Sequence, residues 1–195
     1  MVLDIRNELP PSTPSGSGFV LQSTDGKTTY TEPSIIATYL SELATDKTIT
    51  TQLLGATAGD RLALLQWLFW NQTRFDPATK KASKAALGGQ TYGPEQKTAA
   101  GELVGLVDYL DKELRDEQWN GRESLVDTRE AVGPSLADIS VASTLLYAWT
   151  TTIDEDSRAD FQGALKLYQR VSRTDGLGEL FPEEDSLGEA DLEYP

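Results

Sequence analysis

This 195-residue chain contains no cysteine, no histidine and a single methionine. Without cysteine there is no disulfide framework, no thiolate nucleophile and no sulfur ligand for zinc; without histidine the commonest general base and metal ligand is missing too. Most familiar catalytic constellations are thereby excluded, and no metal site is expected. Positive charge is scarce as well. Seventeen Lys and Arg stand against 31 Asp and Glu, a formal net charge of −14, so the surface is a poor partner for phosphate backbones and direct nucleic-acid binding is not expected. No run approaches the roughly 18 apolar residues of a membrane span. The opening Met1-Val-Leu-Asp-Ile-Arg6 lacks the basic-then-apolar layout of a signal peptide. A soluble, cytoplasmic protein with no membrane contact is the expectation.

What is present is a core and a well-marked helix. The hydrophobic fraction is 38%, with four Trp, enough for one packed domain. The most informative stretch is Gly133-Pro134-Ser135-Leu136-Ala137-Asp138-Ile139-Ser140-Val141-Ala142. The Ser135 hydroxyl is placed to accept from the backbone N–H three residues on, and the Asp138 carboxylate to reach back to the Ser135 N–H, a capping box with Asp in the usual Glu or Gln place. Behind it runs an almost uncharged segment whose Ile139, Val141, Ala142, Leu145, Leu146 and Trp149 are spread round the helix. Such a helix must be enclosed by others.

Elsewhere the pattern is mainly helical. Residues 7 to 18 hold three Pro and two Gly among small polar residues and read as an irregular linker. Phe19 to Ser23 and Lys27 to Thr31, joined by Asp25-Gly26, read as a β-hairpin. Glu32-Pro33-Ser34 opens a helix to about Leu43, with Ile35, Ile36, Tyr39, Leu40 and Leu43 as its apolar face. A loop from Ala44 to Gly55 precedes a helix from about Ala58 that carries Leu62, Leu65, Gln66, Phe69 and Trp70 and continues raggedly past Pro77 to Ala86. Gly88-Gly89 and Tyr92-Gly93-Pro94 break it. Apolar residues at three- and four-residue steps predict an amphipathic helix from Pro94 to about Asp116. The capped helix from 135 to about 151 follows, then one from about Ser157 to Ser172, a turn near Leu177 to Phe181, and an acidic tail.

The loop Ser124-Leu125-Val126-Asp127 followed by Ser135-Leu-Ala-Asp-Ile-Ser-Val-Ala142 resembles the signature that opens the central helix of the glutathione transferase C-terminal domain. Thr144 to Trp149, Asp156 to Phe161 and Leu167 to Val171 are similar in particular to the glutathione-transferase-like domain of elongation factor 1-gamma and of some aminoacyl-tRNA synthetases. The resemblance covers about residues 19 to 181. It implies a mainly α fold, a GST-like C-terminal helical bundle preceded by a truncated thioredoxin-like β-hairpin-helix remnant. The implied division is a remnant over 1–47, an all-α domain over 48–181, and an acidic, disordered tail over 182–195.

The same resemblance bears on chemistry. In glutathione transferases a Tyr, Ser or Cys at the end of the first strand stabilises the thiolate, a cis-Pro pairs with the cysteinyl part of glutathione, and an acidic-Ser pair at a helix N-terminus holds the γ-glutamyl end. The segment for the first has no counterpart here, Val20 stands where the Pro belongs, and Glu32-Pro33 stands where Glu-Ser belongs. Glu32 and Ser34 are left as a residual glutathione corner, which a plain helix cap also explains. No catalytic residue and no cofactor are assigned, and Tyr30 and Tyr92 lie outside any equivalent strand-to-helix corner. Asp138 reads as a capping acid, Lys80-Lys81-Ala-Ser-Lys84 as a solvated face, and Asp154-Glu155-Asp156 and Glu183-Glu184-Asp185 as solvated charge without calcium-loop spacing. Trp70 and Trp149 read as core. Trp67, with Leu64 and Leu68, lies partly off the stripe set by Leu62, Leu65, Phe69 and Trp70, so one side of that helix is either an exposed patch or buried against the hairpin unit.

Three expectations follow. The resemblance implies a non-catalytic module that binds protein partners of the translation machinery, elongation-factor or synthetase subunits, by pairing helices as a homo- or hetero-dimer or through the hairpin-helix face. The alternative is a divergent transferase conjugating glutathione, the sole cofactor-like molecule it would need, to electrophiles. The third is a helical appendage that confers stability or solubility.

Overall fold

The computed structural model describes residues 4–6, 20–22, 28–87, 93–115, 124–126 and 133–187. Two compact units divide the chain at Thr50 and Thr51. In the first, strands β1 (Asp4–Arg6), β2 (Val20–Gln22) and β3 (Thr29–Tyr30) form an antiparallel sheet in that order. The hairpin pairing expected from the sequence is present, with Leu21 opposite Tyr30 and Gln22 opposite Thr29. The turn at Asp25-Gly26 and the linker over 7–18 lie outside the described residues. The sheet adds a strand the sequence did not announce: Ile5 pairs with Leu21 in β1, a three-residue segment too short to show alternation.

Helix α1 (Pro33–Glu42) starts where Pro33 puts it, at a position whose missing N–H costs nothing. Its expected apolar face is largely open: Ile35, Leu40 and Leu43 are exposed, while Tyr39 stacks on Tyr30 at 6.0 Å. The stretch from Ala44 to Gly55, expected as a loop, instead contains helix α2 (Lys47–Leu54). Its β-branched residues are weak helix formers, yet its ends are well made. Asp46 accepts both the N–H and the hydroxyl of Thr48, at 2.8 and 2.7 Å, and these bonds, the hydroxyl's first, hold its carboxyl below the ordinary range. At the other end Gly55 has φ +87, a left-handed terminator open to glycine.

The second unit is a helical bundle. Helix α3 (Ala58–Trp70) opens on a second capping box, Thr57 with Asp60. It runs through a π-helical turn, Asn71–Phe75, into α4 (Asp76–Leu87). The turn sits immediately before Pro77, whose ring and missing N–H disrupt the regular ladder one turn back, so the helix shifts register rather than stopping. Helix α5 (Pro94–Arg115) packs on α4 and on α8 (Gln162–Ser172). The single helix expected over 157–172 is two: a four-residue turn α7 (Glu155–Arg158) and then α8. Phe161, buried with φ −101 and ψ 62, separates them.

At the centre lies α6 (Leu136–Thr151), in contact with α3, α4 and α8. Val141, Ala142, Leu145, Ala148 and Trp149 are wholly buried. Trp149 meets Tyr168 edge-on at 4.9 Å, and Tyr168 meets Phe181 at 6.3 Å. The buried Arg158 donates to Trp149 O at 2.8 Å and Ile153 O at 3.3 Å, setting a cation against the carbonyl end of α6. Within the tail expected to be disordered from 182 onward, residues 182–187 are ordered. Tyr168 donates to Pro182 O at 2.7 Å, Glu184–Ser186 form a 3₁₀ turn, and Leu187 joins the core. An acidic composition hid one buried leucine.

Candidate functional site

Asp138 is the most heavily bonded carboxylate among the described residues. Its Oδ2 accepts the Ser135 N–H at 2.7 Å, the Ser135 hydroxyl at 2.8 Å and the Ser124 hydroxyl at 2.6 Å, and its Oδ1 accepts the Leu125 N–H at 2.7 Å. It is fully buried. The cap expected from the sequence is present, and the folded chain gives the same carboxylate a second role, tying the Ser124-Leu125-Val126 segment to the start of α6. All four of these donors are neutral, the arrangement of a structural knot.

Glu32 and Ser34 lie where the sequence put them, at the N-terminus of α1. Glu32 occupies the cap position with extended backbone but makes no side-chain cap bond; Ser34 O accepts the Thr38 hydroxyl at 2.8 Å. They thus share one helix end, with Glu32 exposed and Ser34 half-buried. Tyr92 falls outside the described residues. The lysine run is solvated as expected, with Lys80 paired to Asp76 and Lys81 to Glu102. Of the acidic runs, Asp154 has a specific use: it caps α7 through the Ser157 N–H at 2.8 Å. The Ser157 bonds, and less strongly Arg158, hold its carboxyl low. No cluster of three or more potential metal ligands occurs among the described residues.

Helix α3 reverses part of the sequence reading. Leu64, Trp67 and Leu68 are the buried face, whereas Leu62 and Phe69 are 68% exposed and Leu65 53%. The helix is apolar nearly all round, so periodicity alone could not choose its inner side. Trp67 is core, resting against Trp70 and Tyr109 at 5.3 and 6.4 Å. Leu62, Leu65 and Phe69 recur at three- and four-residue steps and line the outer face. An aromatic layer of Trp67, Trp70, Phe75 and Tyr109 lies within the same helix group, which gives the apolar stripe a rigid backing.

A mainly α unit with a buried, capped central helix, preceded by a small antiparallel sheet and a helix, defines a glutathione-transferase-like fold. Comparisons with known proteins agree. The chain is 26% identical over 174 residues to a glutathione S-transferase-like protein of Aspergillus aculeatus, covering 87% of this chain and 75% of that one. It superposes on the GST-like domain of elongation factor 1-gamma from Saccharomyces cerevisiae with a TM-score of 0.70 at 21% identity, covering 88% of this chain and 74% of that domain. A glutathione S-transferase from Xanthobacter autotrophicus gives a TM-score of 0.60 at 20% identity, over 86% and 73% of the two chains. No protein-family model matches.

Proposed function

We propose that this chain is a non-catalytic, glutathione-transferase-like module that binds protein partners of the translation machinery. The observation that carries the reading is the outer face of α3. Three large side chains, Leu62, Leu65 and Phe69, stand in solvent on one stripe of one helix, and contiguous apolar patches on a rigid helix are what protein partners bury. The likeness to the GST-like domain of elongation factor 1-gamma supports the choice of elongation-factor or synthetase subunits as partners. The high negative charge favours partners with basic surfaces.

The test is co-purification of the tagged full chain from its own cell extract, compared with a Leu65→Asp/Phe69→Asp variant. Enrichment of an elongation-factor or synthetase subunit with the parent and its loss with the variant is the expected result. Equal recovery with both would remove α3 as the docking face. The alternative, a divergent transferase, draws on the likeness to the bacterial glutathione S-transferase and on the Glu32/Ser34 helix end. It requires retention on glutathione resin and turnover of a chloronitroarene, and observing both would displace the first reading.

A further inference from the structure

Helix α8 carries Lys166, Arg170 and Arg173 at steps of four and three residues, so three cations share one face over roughly 10 Å of helix. They line an open cleft of about 720 Å³ together with Gln52, Gly133, Gln169, Thr174 and Asp175. This is an anomaly in so acidic a chain. Asp76 and Lys80, and likewise Asp111 and Arg115, show the usual solution, a carboxylate four residues before the cation. Four residues before Arg170 stands Lys166 instead, and four before Lys166 stands Gln162. Among the described residues neither Lys166 nor Arg173 pairs with a carboxylate. Adjacent like charges repel, and an anion entering the cleft would relieve that repulsion.

The cleft is also built rather than incidental. Arg170 Nη2 donates to Gly133 O at 3.0 Å, which fixes the middle guanidinium against the loop before α6. Gln52 donates to Pro134 O at 3.3 Å, closing the wall from α2. A Cβ on Gly133 would displace the Gln52 amide, so glycine lets loop and side chain meet there. Among the described residues Asp175 is the one carboxylate in the lining, and the Gln169 amide is held by Glu184 at 2.9 Å. The volume lies within the range of small-ligand sites, and the described lining residues are polar or charged apart from Gly133.

We propose that this cleft binds a small polyanion, a molecule carrying two or more phosphate or carboxylate groups, with Lys166, Arg170 and Arg173 each meeting an anionic group. A triphosphate offers three anionic groups in a row, one for each cation. Arg170 and Arg173 supply the fork geometry suited to phosphate oxygens, and Lys166 a point charge at the far end.

The experiment is calorimetric titration of the full chain at low salt with sodium tripolyphosphate and, separately, citrate. Saturable one-to-one binding of at least one of them is expected, weakening as salt rises, and the two arms separate phosphate from carboxylate preference. Lys166→Glu/Arg173→Glu changes two exposed side chains and should weaken binding about tenfold or more. Lys81→Glu/Lys112→Glu makes the same change in net charge at exposed residues away from the cleft and should leave affinity within about twofold. Absence of saturable binding to either anion would overturn the assignment, as would equal losses in the two variants. Stronger binding of short single-stranded RNA than of tripolyphosphate would overturn it as a small-molecule site.

Discussion

Asp111 of α5 caps a helix to which it does not belong. Its Oδ1 accepts the backbone N–H of Gly163 at 2.6 Å and that of Ala164 at 3.3 Å. The N-cap residue of α8 itself, Phe161, makes no side-chain cap bond, so the orphan donors at the start of α8 are satisfied from the neighbouring helix. Arg115 Nε lies 2.7 Å from the other carboxylate oxygen, and Asp111 is 1% exposed. Asp111→Ala would strand two buried N–H groups, while Arg115, 53% exposed, stays solvated, for a loss of about 2–3 kcal/mol. Asp111→Asn keeps one acceptor and should lose less. Urea midpoints of the two variants test this ranking, and equal midpoints would contradict it.

The same contact dictates a glycine. A Cβ at Gly163 would stand 2.9 Å from the Asp111 carbonyl oxygen and 3.1 Å from its Oδ1, so the helices approach closely because no side chain separates them. Gly163→Ala should destabilise by about 1–3 kcal/mol even though alanine is the better helix former. A higher melting temperature in the variant would mean that propensity outweighs the contact.

These sites mark where the sequence was legible. Ser135 and Asp138 announce α6 because a capping box is local: four consecutive residues contain the whole interaction. Thr57 and Asp60 write the same signal before α3. The spacing of Leu103, Leu110 and Leu114 exposes α5 for the same reason. What stayed hidden depends on residues distant in sequence or on a choice between equivalent faces. Asp111 reaches Gly163 across 52 positions, and no spacing rule encodes it. Helix α3 offers two apolar faces, and packing against α6 selects Leu64, Trp67 and Leu68. The α8 cleft is hidden likewise, since Gln52 and Gly133 join Lys166, Arg170 and Arg173 only in the folded chain.

Ser135 and Asp138 share one cap but not one cost. Ser135→Ala removes the acceptor of the Asp138 N–H and one of the four donors to its carboxylate, leaving the other three, and should lose about 1–2 kcal/mol. Asp138→Ala orphans the Leu125 and Ser135 N–H groups and the Ser124 hydroxyl in a dry site, so a loss of about 3–5 kcal/mol is expected. Comparable midpoints for the two variants would show that Asp138 is merely a cap.

Tyr168 is the alkaline reporter. Burial, opposed in part by Arg158 and reinforced by Glu184, pushes its phenol up to about 12, above the ordinary value near 10. A group whose folded pKa is raised adds stability below its unfolded value, and that contribution is lost as pH climbs from about 10 through 12. Phenolate absorbance should show a late-titrating component that Tyr168→Phe reduces, Tyr109 being another phenol that burial raises. Ionisation of all the tyrosines near 10 in the folded protein would contradict it.

The two faces of α3 should separate stability from association. Trp67 is 6% exposed and packs on Trp70 and Tyr109, so Trp67→Ala should cost about 3–5 kcal/mol. Phe69, two residues on, is 68% exposed, and Phe69→Asp should change stability by no more than about 0.5 kcal/mol. A large loss from Phe69→Asp would show that the outer stripe is part of the folded core. A neutral result, with partner capture lost in the same variant, would leave its apolar exposure to be explained by association.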